Sequence, residues 1–127
     1  MINNFLIINC IGHDDKLGLR INKDFFIKAI KKENKMSETL VNEILEFLRK
    51  HKVKPDQKLS VIVNQGPGSF SRIRIALAIA KGLEISNKVR LFGFKNTDLK
   101  QFDQENIEQL LKEKLVEKKL IKPVYLS

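Results

Sequence analysis

The sequence predicts an α/β fold in which a mixed five-stranded sheet is built in the order β-β-β-α-β-α-β and followed by a C-terminal helix. Two observations predict it. Three short apolar runs separated by turn residues open the chain, which is typical of an antiparallel meander. Two later apolar runs, 59–63 and 89–94, show no polar alternation and flank a helical pattern. Such runs are typical of strands buried on both faces of a parallel sheet.

The opening meander is predicted from apolar runs and the polar residues that end them. The polar cluster 13–15 ends the first run, and the turn residues 22–24 separate the second from the third. In the second run Gly18 indicates either a bulge or a close approach of the backbone to a neighbour. The three strands are predicted at residues 2–11, 16–21 and 25–30.

The first helix is predicted to begin after Ser37, whose hydroxyl can cap it, and to end before Pro55. Acidic residues lie toward its start and basic residues near its end, which suits the helix dipole. Its apolar residues recur at spacings of one, three and four and form a stripe on one face, which Phe47 extends or complements with a second contact. The stripe consists of Leu40, Val41, Ile44, Leu45 and Leu48.

The stretch VIVNQGPGSFSRIRIALAIAKGL, residues 61–83, joins a buried strand to a second helix predicted over about residues 70–83. Its glycines and proline allow a sharp turn, and exposed N–H groups at a helix start attract anions. The alternative is a tight connection that needs glycine for backbone reasons alone, and residue chemistry favours it. The stretch has neither the Lys-Ser/Thr of a P-loop nor the spacing of a dinucleotide fingerprint. The candidate anion site consists of Gly66, Pro67, Gly68, Ser69, Phe70 and Arg72.

The second helix carries small residues in pairs four apart, Ala76 with Ala80 and Ala78 with Gly82. Such pairs let another helix approach closely, either the first helix of the same chain or a helix of a partner chain. Arginines beside them, at positions 72 and 74, would then contact an acidic partner or an anion. One face is lined by Ile73, Ala76, Leu77, Ala80 and Leu83.

Residues 98–120 are predicted as one further amphipathic helix with a short extended tail. We therefore expect a domain of residues 1–97 and a C-terminal helix and tail, 98–127. Three strands followed by helix, strand, helix and strand is the order of ribonuclease H-like and actin-like domains, in which the first strand is central and the last two lie parallel to it.

The net charge of +9 allows attraction to RNA, anionic lipid or an acidic protein. Acids interleave with the lysines and stacking aromatics are sparse near the basic runs, which favours a solvated surface over a nucleic-acid face. The apolar runs are far shorter than the roughly 20 residues of a membrane span, and the N-terminus lacks the features of a signal peptide. We therefore expect a cytoplasmic protein without a membrane segment. The single cysteine, Cys10, excludes an internal disulfide and reads as a buried small hydrophobe.

No catalytic residue and no metal site is predicted. His13, Asp14 and Asp15 are adjacent, and adjacent residues rarely converge on one ion, so they read as turn and surface residues. A nucleophilic role for Ser69 or Ser71 would need a base in reach, and neither histidine belongs to a recognisable constellation.

Two motifs and the C-terminal residues resemble the TsaB (YeaZ) family. GPGSFSRIRIALAIAKGL, residues 66–83, resembles the family signature Gly-Pro-Gly-Ser-Phe-Thr-Gly-Leu-Arg, which opens the second helix. KMSETLVNEILEFL resembles the family's His-Ser-Glu-x-Leu-Leu-Pro helix start, and KPVYLS its Pro-x-Tyr-Leu ending. The resemblance covers roughly residues 1–96 and the last few residues.

The resemblance implies an actin-like, ribonuclease H-like fold and a non-catalytic subunit that supports a TsaD-like transferase. The reaction is threonylcarbamoyladenosine modification of tRNA beside the anticodon, and the resemblance implies that this chain contacts tRNA only indirectly, as part of the complex. It implies no cofactor of the chain's own, with ATP bound by partner proteins or at their interface, and a TsaE-like ATPase as a further partner. Apart from the resemblance, exposed small-residue helix faces would allow a homodimer through the partner surface when the chain is alone, and the sequence leaves its oligomeric state open. The implied interface consists of Leu40, Ile44, Phe47, Leu48, Phe70, Arg74, Ala76 and Leu77.

The sequence also departs from the family pattern. Residues 9–12, Asn-Cys-Ile-Gly, stand where the family has Asp-Thr-Ser, so nucleotide binding by this chain alone is not expected. Met36 stands at the position of the family histidine, Ser71-Arg72 replaces Thr-Gly, and most of the second domain has no counterpart. Two other functions stay open: a stand-alone basic tRNA-binding module, and a small nucleotide-binding domain.

Overall fold

The computed structural model describes residues 4–31, 36–114 and 116, and it contains a five-stranded mixed sheet. The strands are β1 (Phe5–Asn9), β2 (Lys16–Ile21), β3 (Asp24–Ala29), β4 (Ser60–Asn64) and β5 (Arg90–Phe94). Their order across the sheet is β3-β2-β1-β4-β5, with β1 central. β1 pairs antiparallel with β2, and β2 with β3, whereas β4 lies parallel to both β1 and β5. The predicted α/β class, the order of elements along the chain and the central position of the first strand are confirmed.

The helices in the described part of the chain are α1 (Met36–Lys50), α2 (Phe70–Asn87) and α3 (Gln104–Lys112), with a short 3₁₀ turn at Asn96–Asp98. They cover both faces of the sheet. Because successive strand side chains point to opposite faces, Leu6 and Ile8 of β1 pack in the cluster that includes α1 and α2. Phe5 and Ile7 pack instead with Ile107 of α3 in a second cluster. Each fully buried side chain of this size contributes about 1.5–3 kcal/mol to folding.

The parallel arrangement brings the carboxyl ends of β1, β4 and β5 to one edge of the sheet. In open α/β sheets this is the edge at which ligands bind, at the point where the connections reverse direction. The loop after β1, the GPGS turn between β4 and α2, and the residues after β5 therefore meet there. This edge positions the candidate site.

Several predicted boundaries are corrected. Helix α1 begins at Met36, so Ser37 lies within its first turn and not before it. The helix predicted over residues 98–120 begins at Gln104, because Asp103 caps it by accepting a hydrogen bond from the Asn106 N–H at 2.8 Å. Residue 115 and residues 117–127, which hold the rest of that predicted helix and the tail, lie outside the described residues. Helix α2 begins at Phe70 as predicted and extends four residues beyond Leu83, to Asn87.

Gly18 is a point of close approach and not a bulge. The register between β1 and β2 is unbroken, with Ile7 opposite Gly18. A Cβ atom at Gly18 would stand 2.7 Å from Ile7 Cγ2 and 3.1 Å from the Phe102 ring. Glycine thus lets the segment before α3 lie on the sheet.

None of the helices in the described ranges is long and apolar enough to cross a bilayer. The predicted division of the chain at residue 97 stays a prediction. Beyond that position, Ile107 and Leu110 of α3 are buried on the same sheet.

Candidate functional site

The GPGS turn is shaped by contact with the loop that follows β1. Gly66 has φ +96°, a conformation that side chains disfavour, and its N–H donates to Asn64 Oδ1 at 2.8 Å. A Cβ at Gly68 would stand 2.9 Å from the carbonyl oxygen of Ile11, and that carbonyl accepts a hydrogen bond from the Ser69 N–H at 2.7 Å. The glycines are therefore required by the backbone, which agrees with the connection that residue chemistry favoured.

Ser69 precedes the first residue of α2, but its side chain makes no capping hydrogen bond. Opposite it lies Gly12, with φ +95°, where a Cβ would stand 2.6 Å from Ser69 Cβ. The two loops thus touch through residues with little or no side chain. This close packing places the start of α2 directly beside the loop after β1.

Asp15 organises that loop as an internal anion. Its Oδ1 accepts hydrogen bonds from the backbone N–H groups of Ile11, Gly12 and His13 at 2.9, 2.8 and 3.1 Å. Its Oδ2 forms an ion pair with Arg72 of α2 at 2.9 Å, and the Asp15 side chain is only 6% exposed. A ring of backbone N–H groups is a common anion-binding device, and here a carboxylate of the chain occupies it.

The ion pair between Asp15 and Arg72 reduces the positive charge available to an external anion at the candidate anion site. Arg72 was predicted to supply the positive charge for an external anion, and in the structure it neutralises Asp15. An external anion at the start of α2 would have to compete with this carboxylate for the guanidinium. Anion binding at this turn stays a prediction.

Cys10 lies against the same carboxylate, with Sγ 3.4 Å from Asp15 Oδ2. Burial raises the pKa of the Cys10 thiol from 9.0 to about 12, and the nearby Asp15 carboxylate adds to this effect. The thiol therefore stays protonated at neutral pH, and because the thiolate is the reactive form, Cys10 is chemically inert. It fills the core as predicted, at 0% exposure.

Three asparagines meet at the carboxyl ends of the parallel strands. Asn64 Nδ2 donates to Asn9 Oδ1 at 2.7 Å and to Asn96 Oδ1 at 3.1 Å. The Asn96 N–H in turn donates to the Gly66 carbonyl at 2.8 Å. Asn9 and Asn64 are buried, and buried amides need such partners to offset their desolvation. The cluster ties the ends of β1 and β4, and the residues after β5, to the GPGS turn.

Sequence reasoning missed both Asp15 and this cluster. Asp15 was read as one of three turn residues, and no local pattern distinguishes it from the exposed Asp14 beside it. The asparagines stand at strand ends some thirty to fifty-five residues apart, and only the topology unites them. Within the described ranges no group of three or more His, Cys, Asp or Glu side chains could hold a metal ion.

The predicted partner residues separate into two groups by exposure. The accessible ones are Phe70, at 51% exposure, and Arg74, whose guanidinium lies 5.1 Å from the centre of the Phe70 ring. The other six are at most 3% exposed and form part of the chain's own core: Leu40, Ile44, Phe47, Leu48, Ala76 and Leu77. These six pack within the chain's own core, and the interface as a whole stays a prediction.

The two small-residue pairs of α2 have different neighbours. Ala76 and Ala80 are fully buried in the cluster that contains Leu40 and Ile44 of α1, so their neighbours lie in the same chain. Ala78 and Gly82 point outward, and nothing lies within 4 Å of a Cβ placed at Gly82. We call Phe70, Arg74, Ala78, Gly82 and Ile85 the outer face of α2.

Comparison with known proteins shows the fold. No protein-family model matches the sequence, and no curated protein matches it significantly. The solved structure of YeaZ from Pseudomonas aeruginosa superposes with a TM-score of 0.69 and 13% sequence identity. The matched region covers 89% of this chain and 50% of the YeaZ chain. A second solved structure, an uncharacterized protein with similarity to peptidase YEAZ from Pseudomonas aeruginosa, superposes with a TM-score of 0.68 and 14% sequence identity. The matched region covers 76% of this chain and 45% of that protein's chain.

The chain thus spans about half the length of these solved structures. The similarity agrees with the family resemblance of the GPGSF motif, and the predicted α/β fold with a mixed five-stranded sheet is confirmed and is consistent with the expected actin-like, ribonuclease H-like architecture. The chain has the YeaZ fold over the part that it shares with them.

Proposed function

We propose that this chain is a TsaB-like, non-catalytic subunit that binds a TsaD-like protein and supports threonylcarbamoyladenosine modification of tRNA. One observation carries the proposal: a GPGSF motif at the start of the second helix, in a chain with the YeaZ fold. The motif's glycines fix the start of α2 against the loop after β1. The motif's role is therefore to hold the start of α2 in a defined position. This role is structural, so the proposal requires no catalytic residue in this chain.

The surface proposed to meet the TsaD-like protein is the outer face of α2. It combines exposed apolar groups, a stretch with minimal side chains at Ala78 and Gly82, and one cation, Arg74. Ile85 is 72% exposed and lies on the same side of the helix as Phe70, which is 51% exposed. A partner helix can approach closely where side chains are small. A TsaE-like ATPase and ATP at the interface belong to the same proposal.

The first experiment is size exclusion with light scattering of the chain mixed with the TsaD-like protein of the same organism. We expect a one-to-one complex. Ala78→Arg places a long cation on the exposed side of α2 and should abolish the complex while leaving the fold intact. Gln101→Arg, an exposed position outside the helices, is the matched control and should bind normally.

Ala76→Arg is unsuitable for this test, although Ala76 belongs to the interface that the family resemblance implies. Ala76 is fully buried, so a buried arginine there would unfold the chain. A folded Ala78→Arg variant that still binds would argue against the outer face. If wild-type chain forms no complex and binds tRNA alone with a steep salt dependence, the stand-alone tRNA-binding module replaces this proposal.

A further inference from the structure

β3 is an edge strand with an apolar character that edge strands usually avoid. In the part of the chain that the structure describes, β3 pairs with β2 on one side and with no strand on the other. Ile27 at its centre is 47% exposed, and Phe25 and Phe26 are half-buried. An unpaired edge with apolar side chains is a template for another strand, unless charge, proline or a bulge protects it. β3 contains no proline, its register with β2 is unbroken, and its two charged residues, Asp24 and Lys28, lie toward its ends and not at its centre.

The hairpin geometry decides which backbone groups face outward. Ile21 and Asp24 are opposite each other and close a two-residue turn, which makes them a hydrogen-bonded pair. Such pairs alternate along an antiparallel ladder, so Asp24, Phe26 and Lys28 direct their N–H and C=O groups toward β2. Ile30 is the next residue of this series, and its N–H donates to the Asp15 carbonyl oxygen at 2.9 Å. Asp15 precedes β2, so this hydrogen bond agrees with the assigned alternation. Phe25 and Ile27 therefore direct theirs away from the sheet.

This outward edge is complementary to itself. If a second copy runs antiparallel with the two Phe26 residues opposite each other, Phe25 of each copy faces Ile27 of the other. Both residues have outward backbone groups, so they form hydrogen-bonded pairs in the correct alternation. In the same register Asp24 of each copy faces Lys28 of the other, so opposite charges meet at both ends. A shift of one residue from this register would lose the hydrogen bonds and separate the opposite charges.

Space for a second strand exists beside β3. A groove of about 650 Å³ runs between β3 and the C-terminal half of α1. Phe26 is held in it by stacking on His51, with ring centres 3.9 Å apart. Lys28 already pairs with Glu43 of α1 at 3.3 Å, and an ammonium has donors enough for a second carboxylate. The groove is lined by Phe25, Phe26, Ile27, Lys28, Glu46, Phe47, Lys50 and His51.

We propose that two copies of this chain associate through β3, antiparallel and with two-fold symmetry about Phe26, so that the sheet continues from one copy into the other. An isologous contact of this kind closes on itself and gives a dimer. The surface differs from the outer face of α2, so the dimer is independent of the proposed binding of a TsaD-like protein.

Sedimentation over a concentration series and residue-resolved hydrogen exchange test the proposal on the full chain. We expect a monomer–dimer equilibrium. The Phe25 and Ile27 amides should exchange fast when dilute and slow down as the dimer forms, whereas the Phe26 and Lys28 amides stay protected throughout. A chain that stays monomeric at millimolar concentration, or a dimer without this alternating change in protection, overturns the proposal.

Two variants identify the interface. Ile27→Pro removes an N–H that faces away from β2, so it should abolish the dimer and leave the hairpin intact. Asp24→Lys places like charges opposite each other at both ends and should weaken the dimer by about tenfold or more. Glu105→Lys on α3 is exposed and makes the same change of charge, so the dimer should persist.

Ile85→Glu distinguishes this dimer from one formed through α2. We expect it to leave the β3 dimer unchanged. A dimer that survives both Asp24→Lys and Ile27→Pro, or that is lost in Ile85→Glu, shows that the copies meet elsewhere and overturns the proposal.

Discussion

Asp15 connects two segments of the chain that are distant in sequence. It accepts three backbone hydrogen bonds within its own loop and pairs with Arg72 at the start of α2. Its neighbour Asp14 has the same charge, yet its side chain is exposed and lies 3.3 Å from the equally exposed His13 side chain. Two adjacent aspartates thus have different energetic roles, decided by burial and by the groups that each carboxylate meets.

Asp15→Asn should lower the free energy of unfolding by about 2–3 kcal/mol. The amide keeps one acceptor for the backbone N–H groups but presents its NH₂ group or an uncharged oxygen to Arg72, so a largely buried cation loses its counter-charge. Urea unfolding measures the change. Asp14→Asn is the matched control and should be neutral, because the His13–Asp14 contact is in solvent. Equal effects of the two substitutions would refute the internal-anion role of Asp15.

At the scale of the elements, the glycines of β2 and α2 differ in the space that a side chain would find. Gly18 in β2 is surrounded by Ile7, Phe102 and Phe25, all within 3.2 Å of the point that a Cβ atom would occupy. Gly82 in α2 has nothing within 4 Å of the corresponding point. The first glycine is needed for packing, whereas the second lowers helix stability without a contact that explains it within the described part of the chain.

Gly18→Ala should destabilise the chain by about 1–3 kcal/mol, because the added methyl group forces Ile7 or the Phe102 segment away from the sheet. Gly82→Ala should stabilise it by up to about 1 kcal/mol, because alanine restricts the unfolded chain and meets open space. Thermal and urea unfolding of the pair provide the comparison. A neutral Gly18→Ala would mean that the layer containing α3 is loosely packed.

The elements themselves were predictable to different degrees. The strands β4 and β5 are mostly apolar and show no regular polar alternation, a composition that favours parallel pairing. The start of α3 was not predictable in the same way, because residues 96–103 form a 3₁₀ turn and a loop whose positions depend on packing against the sheet. The sequence does contain the capping residue, Asp103. The helix start was predicted from the spacing of apolar residues alone, which gives no weight to a cap.

At the scale of the whole molecule, both faces of the sheet are apolar and both are covered. Removing α3 would expose Phe5, Ile7, Ile62 and Phe94, which are at most 1% exposed. A chain ending at residue 97 should therefore lose at least about 4 kcal/mol of stability and self-associate. Circular dichroism with urea and light scattering would measure both.

The matched control is a chain ending at residue 116, which keeps α3 and Val116, a residue packed against the same cluster, and should fold. If the chain ending at residue 97 is as stable as the full chain, the predicted division into a domain of residues 1–97 and a C-terminal addition is supported, and the second apolar cluster contributes little.

The candidate site was predictable only in part, for a reason that also belongs to this scale. The GPGS turn follows from local residue chemistry, and the structure places it as expected. Which helix covers Ala76 and Ala80 depends on how α1 and α2 lie on the sheet, and the sequence left both answers open. Six of the eight predicted interface residues are core residues for this reason. The exposed pair Ala78 and Gly82 becomes distinct only when the buried side of α2 is known.

The contact between Gly12 and Ser69 has a consequence for the order of folding events. The GPGS turn meets the loop after β1 through a backbone hydrogen bond between residues 11 and 69, which lie far apart in the sequence. The opening hairpin, by contrast, needs only neighbouring residues. Closing a long chain loop costs entropy before any contact repays it. The first turn of α2 should therefore take its final form only once β1 and β4 have paired, so the helix that we propose meets a partner begins at a late-forming junction of the fold.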